Sequence, residues 1–197
     1  MGYPMAGHLA RAGHTVTVFN RTAARANAWQ GEYGGQVALS PAAAAEYQDA
    51  VMICVGNDDD VREVTTGEHG ALRTMREGAL LIDHTTTSEA LATSLAALAD
   101  QSGVAFLDAP VSGGQIGAES GALTVMVGAN ENAFTEALTL IECYAKSVRR
   151  MGPVGAGQLT KMVNQICIAG LLQGLSEGIH FAERAGLDVT AAMEGIT

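Results

Sequence analysis

Short runs rich in β-branched residues alternate with alanine-rich stretches from the start of the chain to about residue 150. This alternation is typical of a mainly parallel sheet whose strands are connected by helices on both of its faces. It therefore predicts the α/β class with a doubly wound sheet. The predicted strands are Thr15–Phe19, Val51–Val55, Ala79–Asp83, Val104–Asp108, Leu123–Val127 and a short one near Ser147–Met151.

The pattern changes after Met151, where glycine and proline cluster and about thirty residues without a strand follow. We expect a boundary between domains 1–153 and 154–197, and one long helix over Gly157–Ala185. That helix is apolar on most sides, which is typical of a buried helix. A single short helix, capped by Asp188, is all that follows to cover it. The second domain is therefore predicted to be the start of an all-α domain.

The beginning of the chain departs from a complete doubly wound fold, which places a strand and a glycine-rich turn ahead of its first helix. Here the first helix is predicted to begin at or near residue 1. Either the first strand is missing because the chain is a fragment, truncated at both ends, or the phosphate-binding turn is absent.

Composition excludes several classes of protein. Of 197 residues, 48% are hydrophobic, which allows a buried core, and the net charge of −10 disfavours nucleic-acid binding. No apolar run is long enough to span a membrane and no leader is apparent, so we expect a soluble, cytoplasmic protein. The three cysteines, Cys54, Cys143 and Cys167, are widely spaced and predicted to be reduced and buried.

Two further groups of residues could suggest a metal, but each has a simpler interpretation. Asp58, Asp59 and Asp60 follow a predicted strand and are interpreted as the capped first turn of a helix. The five histidines show no ligand spacing, so no metal site is predicted.

A candidate anion site lies near the start of the chain, where residues 1–31 contain three arginines and no acid. Asn20, Arg21 and Thr22 follow the strand whose end meets the adenosine ribose in a dinucleotide-binding unit. A guanidinium group matches a phosphate with a planar fork of donors. Arg21 thus favours NADP, with NAD possible, although an arginine there can also be a solvated residue at a helix start.

A second candidate site follows the strand that ends at Asp108. The hydroxyl of Ser112 and the amides of Gly113 and Gly114 could hold a carboxylate, because glycine lets the backbone approach an anion closely. An ordinary glycine-rich turn is the alternative. A serine nucleophile is disfavoured, since Pro110 stands where the elbow motif requires glycine.

The third candidate site lies in the long predicted helix. Lys161 shares a face with Asn164 and Gln165, so an ammonium and two amides point the same way from an apolar helix. A desolvated lysine can exchange a proton near neutral pH, which reduction of a carbonyl requires. The alternative is a lysine whose stem packs and whose head reaches solvent.

Taken together, these blocks resemble the β-hydroxyacid dehydrogenase family over the whole chain, in the family's order. The resemblance implies a Rossmann-type fold and a small carboxylate substrate, with hydride transfer between a nicotinamide and a short β-hydroxy acid or semialdehyde acid. It implies that Lys161 is catalytic. The cofactor-binding residues it implies are Met1, Gly2, Asn20, Arg21, Thr22, Val55, Gly56 and Thr86, and the substrate-binding residues are Ser112, Gly113, Gly114, Asn164 and Gln165.

Two residue patterns argue against related enzymes of the same fold. The related 6-phosphogluconate dehydrogenases place His-Asn where this chain has Asn164 and Gln165, and imine reductases generally lack the lysine found at position 161. His84 stands where an apolar residue is more usual.

The resemblance implies a homodimer or higher homo-oligomer formed through the helical domain. Two alternatives stay open: a non-catalytic cofactor-binding or dimerising fragment, and an enzyme that resembles the imine reductases.

Overall fold

The computed structural model describes residues 1–196, and Thr197, the last residue of the predicted second domain, lies outside them. The strands are β1 (Thr17–Val18), β2 (Gln36–Val37), β3 (Ala50–Ile53), β4 (Leu80–Asp83), β5 (Ala105–Asp108), β6 (Val111–Ser112), β7 (Leu123–Gly128) and β8 (Ala145–Gly152). The helices are α1 (Gly2–Arg11), α2 (Ala23–Tyr33), α3 (Pro41–Ala45), α4 (Asp58–Thr66), α5 (Glu89–Asp100), α6 (Gly114–Glu119), α7 (Glu131–Ile141), α8 (Ala156–Arg184) and α9 (Val189–Ile196).

The larger sheet has six strands. β3, β4 and β5 are parallel neighbours, β7 pairs with β8 in parallel, and β7 runs antiparallel to β5 and β6. The sheet is therefore mostly parallel, and the predicted Rossmann-type α/β fold followed by a helical segment is confirmed.

Both faces of the larger sheet are covered, as the apolar character of its strands predicts. In β4, Leu80 and Ile82 enter one core with residues of α1 and α7, whereas Leu81 enters the other core with residues of α4 and α5. This alternation follows from the two-residue period of a strand. It leaves the carboxyl ends of the central strands as the edge at which polar residues meet.

β1 and β2 form a separate two-stranded parallel sheet. Its flanking helix α2 packs on α1 through aromatic residues: the Tyr33 ring meets the Tyr3 ring edge-on with centroids 5.9 Å apart, and the Trp29 indole N–H donates to the carbonyl oxygen of Tyr3 at 3.1 Å. Gly7 in α1 is required there, since a Cβ would lie 2.4 Å from the Tyr33 ring. Helix packing therefore holds this part of the chain in place.

Several predicted boundaries were wrong. The first predicted strand, Thr15–Phe19, is only Thr17–Val18, because its single partner β2 has two residues. The predicted strand Val51–Val55 occupies Ala50–Ile53, and the strand predicted near Ser147–Met151 is extended to Ala145–Gly152 by its pairing with β7. The short strands β2 and β6 were not predicted.

The described chain separates into two compact units, one over residues 1–161 and one that begins at Met162, and the division falls inside α8. The long helix lies within one residue of its predicted bounds at each end, and the Asp188 carboxylate accepts from the Ala191 N–H at 3.1 Å, at the start of α9. The apolar side chains of the long helix were expected to be buried, but most are exposed. The most exposed in α8 are Val163, Ile166, Leu171, Leu172 and Phe181.

Two further observations concern the cysteines and the helices. Cys54 and Cys143 are partly buried, whereas Cys167 is exposed on α8, so the prediction that all three are buried was wrong. Within residues 1–196, no helix is long and apolar enough to cross a membrane.

Candidate active site

Two buried carboxyl groups end the neighbouring strands β4 and β5. Asp83 and Asp108 are register partners, and their side chains are 1% and 0% exposed. Burial raises the pKa of each to about 6, because desolvation penalises the charged form more than the hydrogen bonds to each carboxylate favour it. The end of the sheet is therefore a polar site enclosed by apolar layers.

Asp108 anchors the start of α8. Its Oδ1 atom accepts from the Gly155 backbone N–H at 2.7 Å, and its Oδ2 atom accepts from the Gln158 backbone N–H at 2.8 Å. These are two of the N–H groups that a helix start leaves without partners. Gly157 allows the close approach, since a Cβ there would lie 2.5 Å from the Met126 carbonyl oxygen. Sequence reasoning did not find this anchoring role.

The segment after β4 is fixed on three sides. Asp83 Oδ1 accepts from the Thr85 N–H at 2.8 Å, and the Thr85 hydroxyl accepts from the Val55 N–H at 3.1 Å. The buried side chain of Gln158 donates to the Thr85 carbonyl oxygen at 2.7 Å and accepts from the Thr87 N–H at 3.1 Å. Thr86, one of the predicted cofactor-binding residues, is left exposed between these bonds.

Thr87 carries an unusual polar atom. Among the described residues, its hydroxyl oxygen is the buried side-chain polar atom that has no hydrogen-bond partner. Buried hydroxyl groups in folded proteins are nearly always paired. The Thr87 hydroxyl is therefore an exception to this pattern, located in the segment after β4.

Lys161 is the predicted catalytic residue and lies one turn after Gln158 in α8. The side chain is buried, with 8% of the residue exposed, and desolvation lowers its pKa. The Lys161 ammonium group forms no hydrogen bond with any of the described residues. A lysine in this state is suited to exchange a proton rather than to stabilise the fold through an ion pair.

The predicted carboxylate-binding loop follows β5. Ser112 is half-buried at the end of β6, and Gly113 and Gly114 are exposed at the start of α6. Both glycines have positive φ angles, of 126° and 61°, that L residues rarely adopt. The loop is thus built from a backbone that presents its amides without side chains.

Asn164 and Gln165 lie further along α8, in the second unit. The Asn164 side-chain amide lies 3.5 Å from Oε1 of Gln165, and both residues have solvent access. Their role in substrate binding stays a prediction.

The predicted cofactor residues are distributed along the carboxyl ends of β1, β3 and β4. Gly2 packs on the residue after β3, since a Cβ at Gly2 would lie 3.3 Å from the Cβ of Cys54. Val55 and Gly56 are exposed beyond the same strand. Met1, Asn20 and Thr22 are also exposed, and the Asn20 side chain accepts from the Thr22 N–H at 2.9 Å. The role of these residues in cofactor binding stays a prediction.

Arg21 lies beyond β1 with 83% of its side chain exposed and has one carboxylate partner. Its Nη1 atom lies 3.4 Å from Oδ1 of Asp60. The other oxygen of Asp60 accepts from the Gly56 N–H at 3.2 Å. Asp60 thus connects two predicted cofactor positions.

The remaining acids of that cluster have local roles. Asn57, rather than an aspartate, caps α4 by accepting from the Asp60 N–H at 2.9 Å. Asp58 accepts from the backbone N–H and the hydroxyl of Ser88, which ties α4 to the start of α5. In residues 1–196, no group of three or more potential ligand side chains is placed to hold a metal ion.

His84 proves to be a buried connector. Its Nδ1 atom lies 2.7 Å from the Ala109 carbonyl oxygen, and its Nε2 atom lies 2.9 Å from the Tyr144 hydroxyl. Because the carbonyl only accepts, Nδ1 carries the proton and Nε2 accepts from Tyr144. Burial lowers the pKa of His84 to about 4, so the ring is neutral at physiological pH.

Comparison with known families covers nearly all of the chain. Residues 1–152 match the family described as the NAD binding domain of 6-phosphogluconate dehydrogenase. Residues 155–197 match the family described as NAD-binding of NADP-dependent 3-hydroxyisobutyrate dehydrogenase. The predicted cofactor class, NADP with NAD possible, is confirmed by these matches.

Three individual relatives are similar over the whole chain. An uncharacterised oxidoreductase of Shewanella frigidimarina is 56% identical, and the chain covers 68% of it. A probable 3-hydroxyisobutyrate dehydrogenase-like protein of Arabidopsis thaliana is 42% identical, and the chain covers 59% of it. The solved 3-hydroxyisobutyrate dehydrogenase of Mycobacterium tuberculosis with L-serine is 33% identical, with a TM-score of 0.93 and 66% of its length covered.

The chain thus spans between about three fifths and two thirds of the length of these three relatives. Two family models match in sequence order, and a relative 56% identical is covered to 68% of its length. The chain belongs to the β-hydroxyacid dehydrogenase family.

Proposed function

We propose that this chain is the cofactor-binding and catalytic part of an NAD(P)-dependent oxidoreductase. The enzyme transfers a hydride between the nicotinamide and a short β-hydroxy acid or semialdehyde acid, of the 3-hydroxyisobutyrate or tartronate semialdehyde type. Residues 1–153 bind the dinucleotide, and residues 154–197 begin the helical domain.

The observation that carries this proposal is the attachment of the first turn of α8 to the strand ends. Asp108 and Gln158 hold that turn against the segment around Thr86, and Lys161 follows one turn later with a desolvated ammonium group. A purely structural helix start would not require a buried lysine without an acidic partner.

The dinucleotide would be held by the row of residues at the ends of β1, β3 and β4. Arg21 would bind a 2′-phosphate, Gly2 and Gly56 would allow the backbone to approach the pyrophosphate, and Thr86 would contact the nicotinamide side. Bound there, the nicotinamide supplies or accepts the hydride, which is chemistry that belongs to the cofactor.

Lys161 acts as the general acid in reduction and as the general base in oxidation. In reduction its ammonium donates a proton to the oxygen of the substrate carbonyl as that oxygen becomes a hydroxyl, and in oxidation the neutral amine accepts the proton. Since burial lowers the pKa of Lys161, both forms are accessible closer to neutrality than for an exposed lysine. The reduction rate is expected to fall, and the oxidation rate to rise, as pH increases through that pKa.

The substrate is positioned by its carboxylate and its hydroxyl. Ser112 and the amides of Gly113 and Gly114 hold the carboxylate, while Asn164 and the neighbouring amide of Gln165 orient the hydroxyl toward Lys161. Fixing both ends of a short substrate aligns it for transfer, and such alignment contributes several kcal/mol to lowering a barrier in general.

We propose a cytoplasmic enzyme that forms a homodimer or a higher homo-oligomer through its helical domain. The exposed apolar side chains of α8 support this assembly, because isolated apolar faces of that extent favour association.

The test is a substrate panel with the full-length protein. Reduction of NADP and NAD is followed with 3-hydroxyisobutyrate and related β-hydroxy acids, and oxidation of NADPH with tartronate semialdehyde and a cyclic imine. We expect turnover of the acids with NADP favoured, and Lys161→Ala should lower kcat at least about a hundredfold, the scale of a lost general acid.

Lys146 provides the matched control, as the only other lysine in the sequence, exposed on β8. Lys146→Ala should keep wild-type kcat. Turnover of the imine alone, or unchanged kcat in Lys161→Ala, would contradict the proposed reaction, and no turnover with any substrate would favour a non-catalytic module.

A further inference from the structure

Gln158 is a buried amide in the first turn of α8, with 0% of the residue exposed. Its Nε2 group donates to the Thr85 carbonyl oxygen, and its Oε1 atom accepts from the Thr87 N–H. These partners are the backbone groups on either side of Thr86. One side chain therefore spans the segment that presents Thr86 and fixes it at both ends.

The orientation of this amide is determined by its partners. A carbonyl oxygen only accepts and a backbone N–H only donates, so the reversed amide would lose both bonds. The bonds are 2.7 Å and 3.1 Å long, and both are buried. An apolar side chain of the same length would leave a buried carbonyl and a buried N–H without partners.

The backbone of Gln158 is fixed as well. Its N–H donates to Asp108 Oδ2, and the preceding Gly157 lies close against the Met126 and Asp108 carbonyl oxygens. The main chain of α8 is thus bonded to β5 at the same residue whose side chain holds the segment after β4, and it lies close against β7 one residue earlier. Movement of either element requires these bonds to break.

Lys161 lies three residues after Gln158, which places both on one side of the helix. No described residue forms a hydrogen bond to the Lys161 ammonium group, so the position of its head is set by the helix backbone and by packing. The attachment of that backbone through Gln158 therefore sets the distance between Lys161 and the Thr86 segment.

We infer that Gln158 is a positioning residue for hydride transfer: its amide fixes the Thr86 segment relative to the Lys161 turn. This inference rests on the proposed function. The residue does not touch the reacting atoms, and its effect should appear in kcat rather than in cofactor or substrate affinity. A misplacement of about 1 Å between reacting groups can cost about a hundredfold in rate.

The first experiment compares Gln158→Met with Gln173→Met in the full-length enzyme. Gln173 lies on the same helix but is exposed, and its side chain donates to the Glu177 carboxylate at 2.8 Å. We expect Gln158→Met to lower kcat by about tenfold to a hundredfold with KM nearly unchanged, and to raise the deuterium isotope effect with 4-deuterated NADPH. Gln173→Met should match the wild type.

A merely structural role predicts a different result. In that case Gln158→Met would lower the melting temperature, while kcat per folded site and the isotope effect would stay at wild-type values. That result would overturn the inference.

A second variant keeps the inference testable if Gln158→Met folds poorly. In Gln158→Glu, the neutral carboxyl group can donate to Thr85 and accept from Thr87 as the amide does, whereas the ionised group cannot donate. The nearby Asp83 and Asp108 carboxylates disfavour its ionisation. The ratio of variant to wild-type kcat for reduction should therefore be near one at low pH and fall as pH rises.

A ratio that does not change with pH would overturn the inference. Its failure is distinguishable from failure of the proposed function through Lys161→Ala. If Lys161→Ala abolishes turnover while both Gln158 variants keep wild-type kcat, the reaction stands and only the positioning role is wrong. If Lys161→Ala has no effect, the proposed function itself is wrong.

Discussion

Asp83 and Asp108 face each other in register at the ends of two neighbouring parallel strands, and both carboxyl groups are buried. Two acids side by side in an apolar layer are costly to ionise together. The chain nevertheless uses both, one to hold the Thr85 N–H and the other to hold the start of α8. The site is thus built on groups whose charge opposes folding.

Asp83→Asn should change how stability depends on pH. The pKa of Asp83 is raised from 3.8 to about 6, so its contribution to stability is full below about pH 4 and is lost as pH rises to about 6. That loss amounts to about 3 kcal/mol, from about two pKa units. Asn keeps the acceptor for Thr85 but does not titrate, so urea unfolding at pH 4 and pH 7 should show a smaller loss than the wild type.

Asp59→Asn is the matched control for that measurement, because its side chain is 97% exposed. It should reproduce the wild-type dependence on pH. If Asp83→Asn and the wild type lose the same unfolding free energy between pH 4 and pH 7, the ionisation of Asp83 does not cause that loss.

His84→Gln should change the dependence of stability on pH in the opposite direction, because a buried histidine loses stability as pH falls. Burial lowers the pKa of His84 from 6.5 to about 4, so its contribution is present above about pH 6.5 and is lost as pH falls to about 4. The size of this loss is about 3 kcal/mol. Glutamine can donate and accept without titrating, so the variant should lose less stability on acidification than the wild type, as measured by urea unfolding. Exposed His69→Gln serves as the control, and a wild-type response from His84→Gln would contradict the prediction.

Two glycines of α8 should respond oppositely to alanine. A Cβ at Gly157 would lie 2.5 Å and 2.7 Å from the backbone oxygens of Met126 and Asp108, so the turn that carries Lys161 must shift. A Cβ at Gly170 meets nothing within 4 Å. In this 197-residue chain, Gly170→Ala should raise the unfolding free energy by up to about 1 kcal/mol through helix propensity, and Gly157→Ala should lower it by about 1–3 kcal/mol.

Chemical unfolding followed by circular dichroism measures both changes. Stabilisation by Gly157→Ala would mean that α8 is not held against the strand ends as described. In the full-length enzyme, Gly157→Ala should also lower kcat.

Arg21 and Asp60 should set the preference between the two cofactors. Arg21→Ala should weaken NADP binding by about tenfold to a hundredfold, the scale of a lost charge-assisted hydrogen bond, with little change for NAD. Asp60→Asn removes the carboxylate that lies 3.4 Å from the guanidinium and should strengthen NADP binding relative to NAD. Titration calorimetry with each dinucleotide gives both constants.

Arg184→Ala, an exposed change in the second unit, is the control for loss of one positive charge. Equal losses for NADP and NAD in Arg21→Ala would mean that Arg21 does not contact the 2′-phosphate. If Asp60→Asn leaves the ratio of the NADP and NAD dissociation constants unchanged, Asp60 does not compete with the 2′-phosphate for Arg21.

The elements that could be predicted are those with a strong local pattern. The buried strand Leu80–Asp83 and the long helix Ala156–Arg184 lie within one residue of prediction, because an apolar run and a glycine at each helix end are visible in sequence. The strands β2 and β6 have two residues each and depend on a partner distant in sequence. No local pattern could reveal them.

The same distinction applies to the site. Ser112, Gly113 and Lys161 are noticeable because their residue types carry chemistry. Gln158 and Asp108 were overlooked because their roles come from contacts between residues 47 to 73 positions apart. A polar residue in an otherwise buried segment was the available signal, and His84 shows the same signal through its bond to Tyr144.

The separation of β1 and β2 from the larger sheet affects which part of the molecule opens locally most often. Among residues 1–196, no ladder of backbone bonds joins the two sheets, and Trp29 and Tyr33 of α2 contact α1 at Tyr3 through a hydrogen bond and a ring contact. Segments secured mainly by side-chain contacts open more often than those within a continuous sheet. Amide protons of β1 should therefore exchange with deuterated water faster than those of β4, and a bound dinucleotide that contacts both regions would slow that exchange.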